Sequence, residues 1–394
     1  MVAVPVAGIA GDLRPGLAAL AVPGALAMAL WRSVWTLAWP QTHHDAGLVA
    51  RGPSGQDQTM AATARGRSCP ISYRLRPEDL AGPATCSATT LYVIGGLYGS
   101  VAALDAVLER VARDGPAVVV FNGDFHYLDV ADEDFLRIAD GVSGHLATRG
   151  NVETELATAG DGGGCGCGYP DYVDDGTVER SNAVMSRLRE TAKRHPALVA
   201  PMAELPRQLV VEVGGLRVAV LHGDPEQSAG WRLALEAMEP GDNDVRSWTG
   251  FEGATTSAGQ VAVWLRRGRV QVLACTHTGL PYAQDVALDG SVGLVVNNGS
   301  AGLPCFAGLQ AGVMTRLSTD PRPPDDALYG LELDGVRCDA LPVRYDVERR
   351  HREFVASWPT GTAAHVSYAE RLLVGTPLRL EQAARGAVHL VVRR

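Results

Sequence analysis

The chain has 394 residues, enough for two or three ordinary domains or one large α/β domain with attachments. With 46% hydrophobic and 20% charged residues, its composition is that of a soluble globular protein and excludes wholesale disorder. A net charge of -9 and a single lysine, Lys193, argue against a nucleic-acid partner, because phosphate contacts need clustered cations.

Residues 16–31 carry no charge and resemble a signal h-region or a short membrane segment. Pro23 interrupts the stretch, Arg32 closes it and Asp12 offsets Arg14, whereas a true span needs about 20 apolar residues. No membrane partner is therefore expected. Residues 40–68 are rich in Gly, Ser, Gln, Thr and Ala without periodicity and read as a linker. Together, 1–68 form an N-terminal extension expected to be disordered. The seven cysteines (Cys69, Cys86, Cys165, Cys167, Cys275, Cys305 and Cys338) are odd in number and scattered, which fits a reducing cytoplasm better than a disulfide framework.

From residue 91 short β-branched runs ending in Gly, Asn or Asp alternate with amphipathic helical stretches, the pattern of an α/β fold. LYVIGG (91–96) reads as a strand, 101–115 as a helix stopped by Gly115, and AVVVFNGD (117–124) as the next strand. HLATRGN (145–151) is a third strand, 178–195 a strong helix, and 208–224 a hairpin turning at Gly214-Gly215. A helical segment around Val261, Val263 and Leu265 precedes strands at 270–276 and 291–300. Beyond Asp320, PRPPDD breaks regular structure, and 321–394 reads as an appended segment of strands and a helix after a domain at 69–320.

Four strand ends carry residues suited to holding a metal: Asp124 in NGD, Asn151 in RGN, His222 in LHGD and His277 in THTGLP. A carboxylate, an amide oxygen and two imidazoles suit Mn²⁺, Fe²⁺ or Zn²⁺. The carboxyl ends of strands are also where open α/β sheets gather their ligands. A single histidine at a strand end is more often structural than a ligand, so the signal lies in the succession.

That succession, GGLYG (95–99), GD (123–124), GNVE (150–153), HGD (222–224) and THTGLP (276–281), resembles the calcineurin-like metallophosphoesterase superfamily across residues 91–304. NNGSAGLP (297–304) is similar to the NPGS-type turn of its bacterial phosphodiesterase branch. The resemblance implies a four-layer α-β-β-α sandwich of two mixed sheets and a two-metal site for phosphate-ester hydrolysis. Residues matching the ligands of the second metal stand at Asn151, His222 and His277, and the match to the bridging aspartate at Asp124. Gly96, Tyr98 and Gly279 replace the ligands of the first, and Val152 replaces the catalytic histidine. A site remodelled for one metal is expected, with Tyr98 in part of the vacated space. A register shifted by two residues, which places Cys275 and His277 at the two histidines of GHTH, displaces Pro281 from its match and stays open as an alternative.

The remaining catalytic candidates are Tyr98, which can donate a hydrogen bond to a phosphoryl oxygen, His126 as proton donor or replacement ligand, Arg149 as phosphate attractor, and Glu153. Each has a plain reading as a packing, loop or salt-bridge residue. Cys165-Gly166-Cys167 suits either a soft metal or redox chemistry, or a glycine-rich rim with incidental thiols; two cysteines are too few for a closed tetrahedral site. The expectation is a hydrolase of a small phosphomonoester or phosphodiester with one divalent metal. Its rival is a non-catalytic descendant that binds a ligand or partner through the same pocket.

Overall fold

The computed structural model describes residues 65–67, 71–158 and 164–391. The uncharged stretch 16–31, most of the linker and Cys69 lie outside the described residues. By its contacts the chain separates into residues 1–51, which are not described, and residues 52–394.

Two mixed sheets of seven strands each stack face to face with helices on their outer sides, which is the expected α-β-β-α sandwich. The first sheet joins β1 (Cys86–Ala88), β5 (Gln208–Val213), β6 (Leu216–Leu221), β7 (Val272–Cys275), β8 (Tyr282–Leu288), β9 (Ser291–Asn297) and β13 (Ala384–Arg385), in the order β1-β5-β6-β7-β9-β8-β13. The second joins β2 (Thr90–Ile94), β3 (Val118–Asn122), β4 (Leu146–Thr148), β10 (Gly312–Ser318), β11 (Tyr329–Leu333), β12 (Val336–Val343) and β14 (His389–Leu390), in the order β14-β11-β12-β10-β2-β3-β4.

The near-continuous apolar runs of β2 and β3 follow from burial on both faces. Leu91, Val93 and Val120 point into the core between the sheets, while Tyr92, Ile94, Val119 and Phe121 alternate outward onto the helices. Those helices are α1 (Val101–Asp114), α2 (Asp132–Ser143), α3 (Asn151–Ala157), α4 (Asp175–Ala192), α6 (Val347–Ser357) and α7 (Ala363–Val374), with α5 (Ala258–Gly268) on the far side of the first sheet. The caps are local: Ser100 Oγ accepts from Ala103 N and Asp174 from Thr177 N. Gly214 and Gly215, at φ 55° and 91°, close the β5–β6 hairpin.

Helices α2 and α3 and strands β1, β8 and β10 are among the elements the sequence pattern does not announce. Helix α2 carries Gly141 because a Cβ there would stand 2.5 Å from Leu104, so close packing on α1 overrides helix propensity. The segment 321–394 is not an appendage. Strand β12 pairs with β10 along its length, Gly312 opposite Val343 and Ser318 opposite Arg337, and carries β11 on its other edge. No motif marks these strands, because their partners are set by long-range pairing.

Candidate metal centre

The carboxyl ends of β3, β4, β6 and β7 meet where the two sheets converge. Asn122 ties them together: its Nδ2 donates to Leu221 O (2.9 Å) and Thr276 Oγ1 (2.9 Å), and its Oδ1 accepts from Thr148 Oγ1 (2.8 Å). Gly123 and Asp124, at φ 73° and 53°, then turn the chain sharply off β3. A Cβ at Gly123 would lie 2.5 Å from Gly150 N and 2.7 Å from His222 Nδ1, so only glycine allows this approach. Asp124 takes its left-handed conformation without that freedom, as over-determined residues at functional sites do.

Asp124, His222 and His277 bring one ligand atom each within 4.8 Å of one another. His222 Nε2 lies 3.3 Å from Asp124 Oδ2, 3.2 Å from Asn151 Oδ1 and 3.2 Å from His277 Nδ1. The tautomers follow from the other ring nitrogens. His222 Nδ1 is 2.8 Å from Asn122 O and His277 Nε2 is 2.9 Å from Cys167 O, so each donates its N–H to a carbonyl. The Asn151 amide is oriented likewise, its Nδ2 donating to Cys165 O at 2.9 Å. Four electron pairs, from a carboxylate, an amide oxygen and two imidazoles, thus point at one place. A proton on His222 Nε2 or a bound cation satisfies them, and the donor set suits a divalent transition metal.

The electrostatics agree. Burial pushes the Asp124 carboxyl up, but His222, His277 and the Val152 amide outweigh it and hold the acid below its ordinary value. Burial pulls His222 down, yet the Asp124 carboxylate and its hydrogen bonds leave it raised. His277 is pushed down to about 4 by burial and by the neighbouring His222, so it stays neutral near pH 7 and keeps its lone pair.

Glu153 turns away from this cluster and acts on the backbone. Its Oε2 accepts from Asp124 N (2.8 Å) and Gly150 N (3.0 Å), and its Oε1 from Phe125 N (3.1 Å) and His126 N (3.3 Å). It clamps the turns after β3 and β4 in register, which is a positioning role.

The Cys165-Gly166-Cys167 segment also acts through its backbone. Gly164, Gly166 and Gly168 are all left-handed, at φ 65°, 68° and 58°, and so aim Cys165 O at Asn151 and Cys167 O at both His277 and Trp231 Nε1. Cys167→Ala is therefore expected to leave metal content unchanged in elemental analysis. Gly166→Ala, whose Cβ would fall 2.5 Å from the Tyr73 hydroxyl, is expected to weaken metal affinity about 10- to 100-fold.

The Tyr98 ring lies against Gly96 and near Gly279, two positions at which the resemblance implies ligands of a first metal. A Cβ on Gly96 would sit 2.7 Å from Tyr98 Cζ, and one on Gly279 would sit 3.5 Å from its hydroxyl. Burial, reinforced by the Asp124 charge, pushes the phenol well above its usual range, so it remains a hydrogen-bond donor. Gly96→Ala should destabilise the protein by about 1–3 kcal/mol in urea denaturation, an overpacking penalty that a Tyr98→Gly change in the same chain relieves.

The pocket holds about 140 Å³. Tyr98, Tyr127, Tyr169, Tyr368 and Trp231 line it beside Asp124, Asn151, Val152, His277 and Arg371. Trp231 packs edge-on to His277 with ring centres 5.5 Å apart.

Two candidates from the sequence do not reach this pocket. His126 is fully buried, stacked on Phe135 at 4.1 Å with its Nδ1 2.5 Å from Asp129 Oδ2. Packing between Phe125 and Phe135 removes it from the site. Arg149 points the other way, donating to Ala203 O at 2.8 Å. Cys275, the ligand required by the shifted register, is buried with its thiol pushed up by burial, outside both the cluster and the pocket lining. Arg371 and Tyr368, on α7, carry no sequence signal at all, because they lie far beyond the last motif.

No family model matches the sequence, and no curated protein matches it. Among solved structures, 47 chains match. A hypothetical protein from Pyrococcus horikoshii OT3 is 16% identical, with a TM-score of 0.45, 74% of this chain covered and 100% of that one. A metallophosphoesterase from Sphaerobacter thermophilus is 13% identical, with a TM-score of 0.44, 73% of this chain covered and 100% of that one. A protein serine/threonine phosphatase from Saccharomyces cerevisiae is 13% identical, with a TM-score of 0.31, 68% of this chain covered and 90% of that one.

Proposed function

We propose that the protein is a metal-dependent phosphoesterase acting on a small phosphate ester, with one divalent cation held by Asp124, Asn151, His222 and His277. The observation that carries this reading is the convergence of their four electron pairs, with both imidazole N–H groups committed to backbone carbonyls. A cation bound there supplies Lewis-acid polarisation of a phosphoryl oxygen and lowers the pKa of water.

The chain's own residues do the rest. Asn122 and Glu153 hold the ligand-bearing turns rigid, and the aromatic wall restricts water. The Tyr98 hydroxyl, kept protonated, donates to an oxygen that gains charge as the ester is cleaved. Val152 lines the pocket where the motif pattern places a catalytic histidine, so it offers no proton to a leaving group. A missing general acid lowers rates by about 10²- to 10⁴-fold, and the loss is greatest for esters of poorly acidic alcohols. Turnover should therefore favour esters of acidic alcohols such as nitrophenols.

The same observation supports a second reading, in which the pocket binds a phosphorylated ligand without turning it over. Elemental analysis of the purified protein, paired with hydrolysis of 4-nitrophenyl phosphate and bis(4-nitrophenyl) phosphate with and without Mn²⁺, decides between them. About one metal per chain and chelator-sensitive turnover are expected. Metal without turnover favours the binding protein. If no metal binds, and Asp124→Asn changes neither stability nor turnover, both metal-dependent readings fall.

A further inference from the structure

We propose that Arg371, carried into the pocket by the C-terminal helix α7, is the phosphoryl-binding cation of this site. The ligand class rests on the proposed function; the claim that Arg371 binds an anion rests on its own geometry.

Among the described residues, Arg371 is the one arginine or lysine lining the pocket. Its guanidinium is half-buried, Nη2 donating to Gly279 O and Nε to Pro304 O, each at 3.3 Å, with the Cys305 thiol also beside it. Among the described residues no carboxylate forms a salt bridge with it; the buried Arg350 and the half-buried Arg149 and Arg385 share that lack, but of these four Arg371 alone lines the pocket. A sequestered guanidinium without a counter-charge keeps spare N–H donors and an unbalanced positive charge, and an anion satisfies both. The two carbonyls fix the planar fork, so little freedom remains to be lost when an anion binds.

The placement also fits the rest of the site. Gly279 offers no side chain, so Arg371 and the Tyr98 hydroxyl share the space beside it, at 4.0 and 3.5 Å from where a Cβ would stand. Both groups line the pocket that Asp124, Asn151 and His277 also line, so an anion held between them shares that space with three of the four donors. Tyr368, one turn earlier on α7, lines the same wall. The volume sets the size. About 140 Å³ is close to the ~150 Å³ that encloses a single benzene ring. It takes one phosphoryl group beside Arg371, with any substituent leaving through the open side of the pocket.

The test is calorimetric titration of the full-length protein, metal-free and Zn²⁺-loaded, with inorganic phosphate. Elemental analysis and thermal melting serve as controls for metal content and folding. Arg371→Gln is expected to keep the metal content of the wild type and to lose at least ~10-fold in phosphate affinity in both forms, the scale of a charge-assisted contact. With 4-nitrophenyl phosphate, the loss should fall on KM more than on kcat. Phosphate affinity within two-fold of the wild type in a folded Arg371→Gln protein overturns the proposal. If that variant does not fold, Arg371→Met, which keeps the apolar stem, is read by the same criterion. Failure of the hydrolase reading shows separately, as absence of metal or turnover in the wild type, and leaves phosphate binding by the metal-free protein as the measure of Arg371.

Discussion

His222→Ala is expected to take bound metal from about one per chain to near zero, and to abolish the thermal stabilisation that Mn²⁺ or Zn²⁺ gives the wild type. His222 is the hub of the centre: its Nε2 lies within 3.3 Å of ligand atoms from Asp124, Asn151 and His277. Its other nitrogen is fixed on Asn122 O, so the ring cannot turn its lone pair elsewhere. In the wild type, a cation at 100 times its dissociation constant adds about 2.7 kcal/mol of stability. That increment is the readout, by melting with and without metal. Removing the ring takes from the buried Asp124 carboxylate the imidazole 3.3 Å away, so the metal-free variant should also melt below the metal-free wild type. A variant that still binds metal with wild-type affinity would show that the four electron pairs do not form the centre.

The second large effect is expected at Glu153. Glu153→Gln should destabilise the protein by about 3 kcal/mol or more, because one side-chain oxygen is exchanged for an N–H₂ group that faces backbone donors. In the native protein both carboxylate oxygens are fully used, each accepting from two backbone N–H groups. A glutamine satisfies at most one of these pairs and sets two donors against the other. Burial, with the nearby Asp124 charge, pushes the Glu153 carboxyl up to about 7; glutamine removes that cost of the charge, and the disrupted backbone bonds outweigh the relief. Equilibrium urea denaturation measures the change. Metal affinity should fall with stability, since the same four bonds hold Asp124 and the start of α3 in place. A Glu153→Gln protein of unchanged stability but lost turnover would instead return Glu153 to the reacting centre.

Much of the site was legible in the sequence, for a local reason. Asp124, Asn151, His222 and His277 each lie within three residues of the end of a strand, and a strand with its turn is encoded within about ten residues. The glycines at 123 and 150, beside the ligands, mark the tight approach that the structure requires. The proximity of Tyr98 to Gly96 and Gly279 was legible too: the two glycines lack side chains, and the Tyr98 ring lies against the one and within reach of the other. The functions of individual polar residues were less accessible. His126 lies two residues from Asp124, yet its ring stacks on Phe135, and Arg149 adjoins Gly150, yet its guanidinium reaches Ala203. A side chain's direction depends on what packs beside it, and proximity in sequence does not supply that.

The sequence by itself determined the alternation of strands and helices and the order of the candidate ligands at the strand ends. These are properties of short segments, set by local pattern and turn chemistry. Only the tertiary structure decided that residues 321–394 complete the second sheet, that Glu153 serves the backbone, and that Arg371 and Tyr368 close the pocket. Each of these rests on contacts between segments far apart in the chain, such as Arg371 with Gly279 at a separation of 92 residues, and no local pattern encodes which distant surfaces will meet.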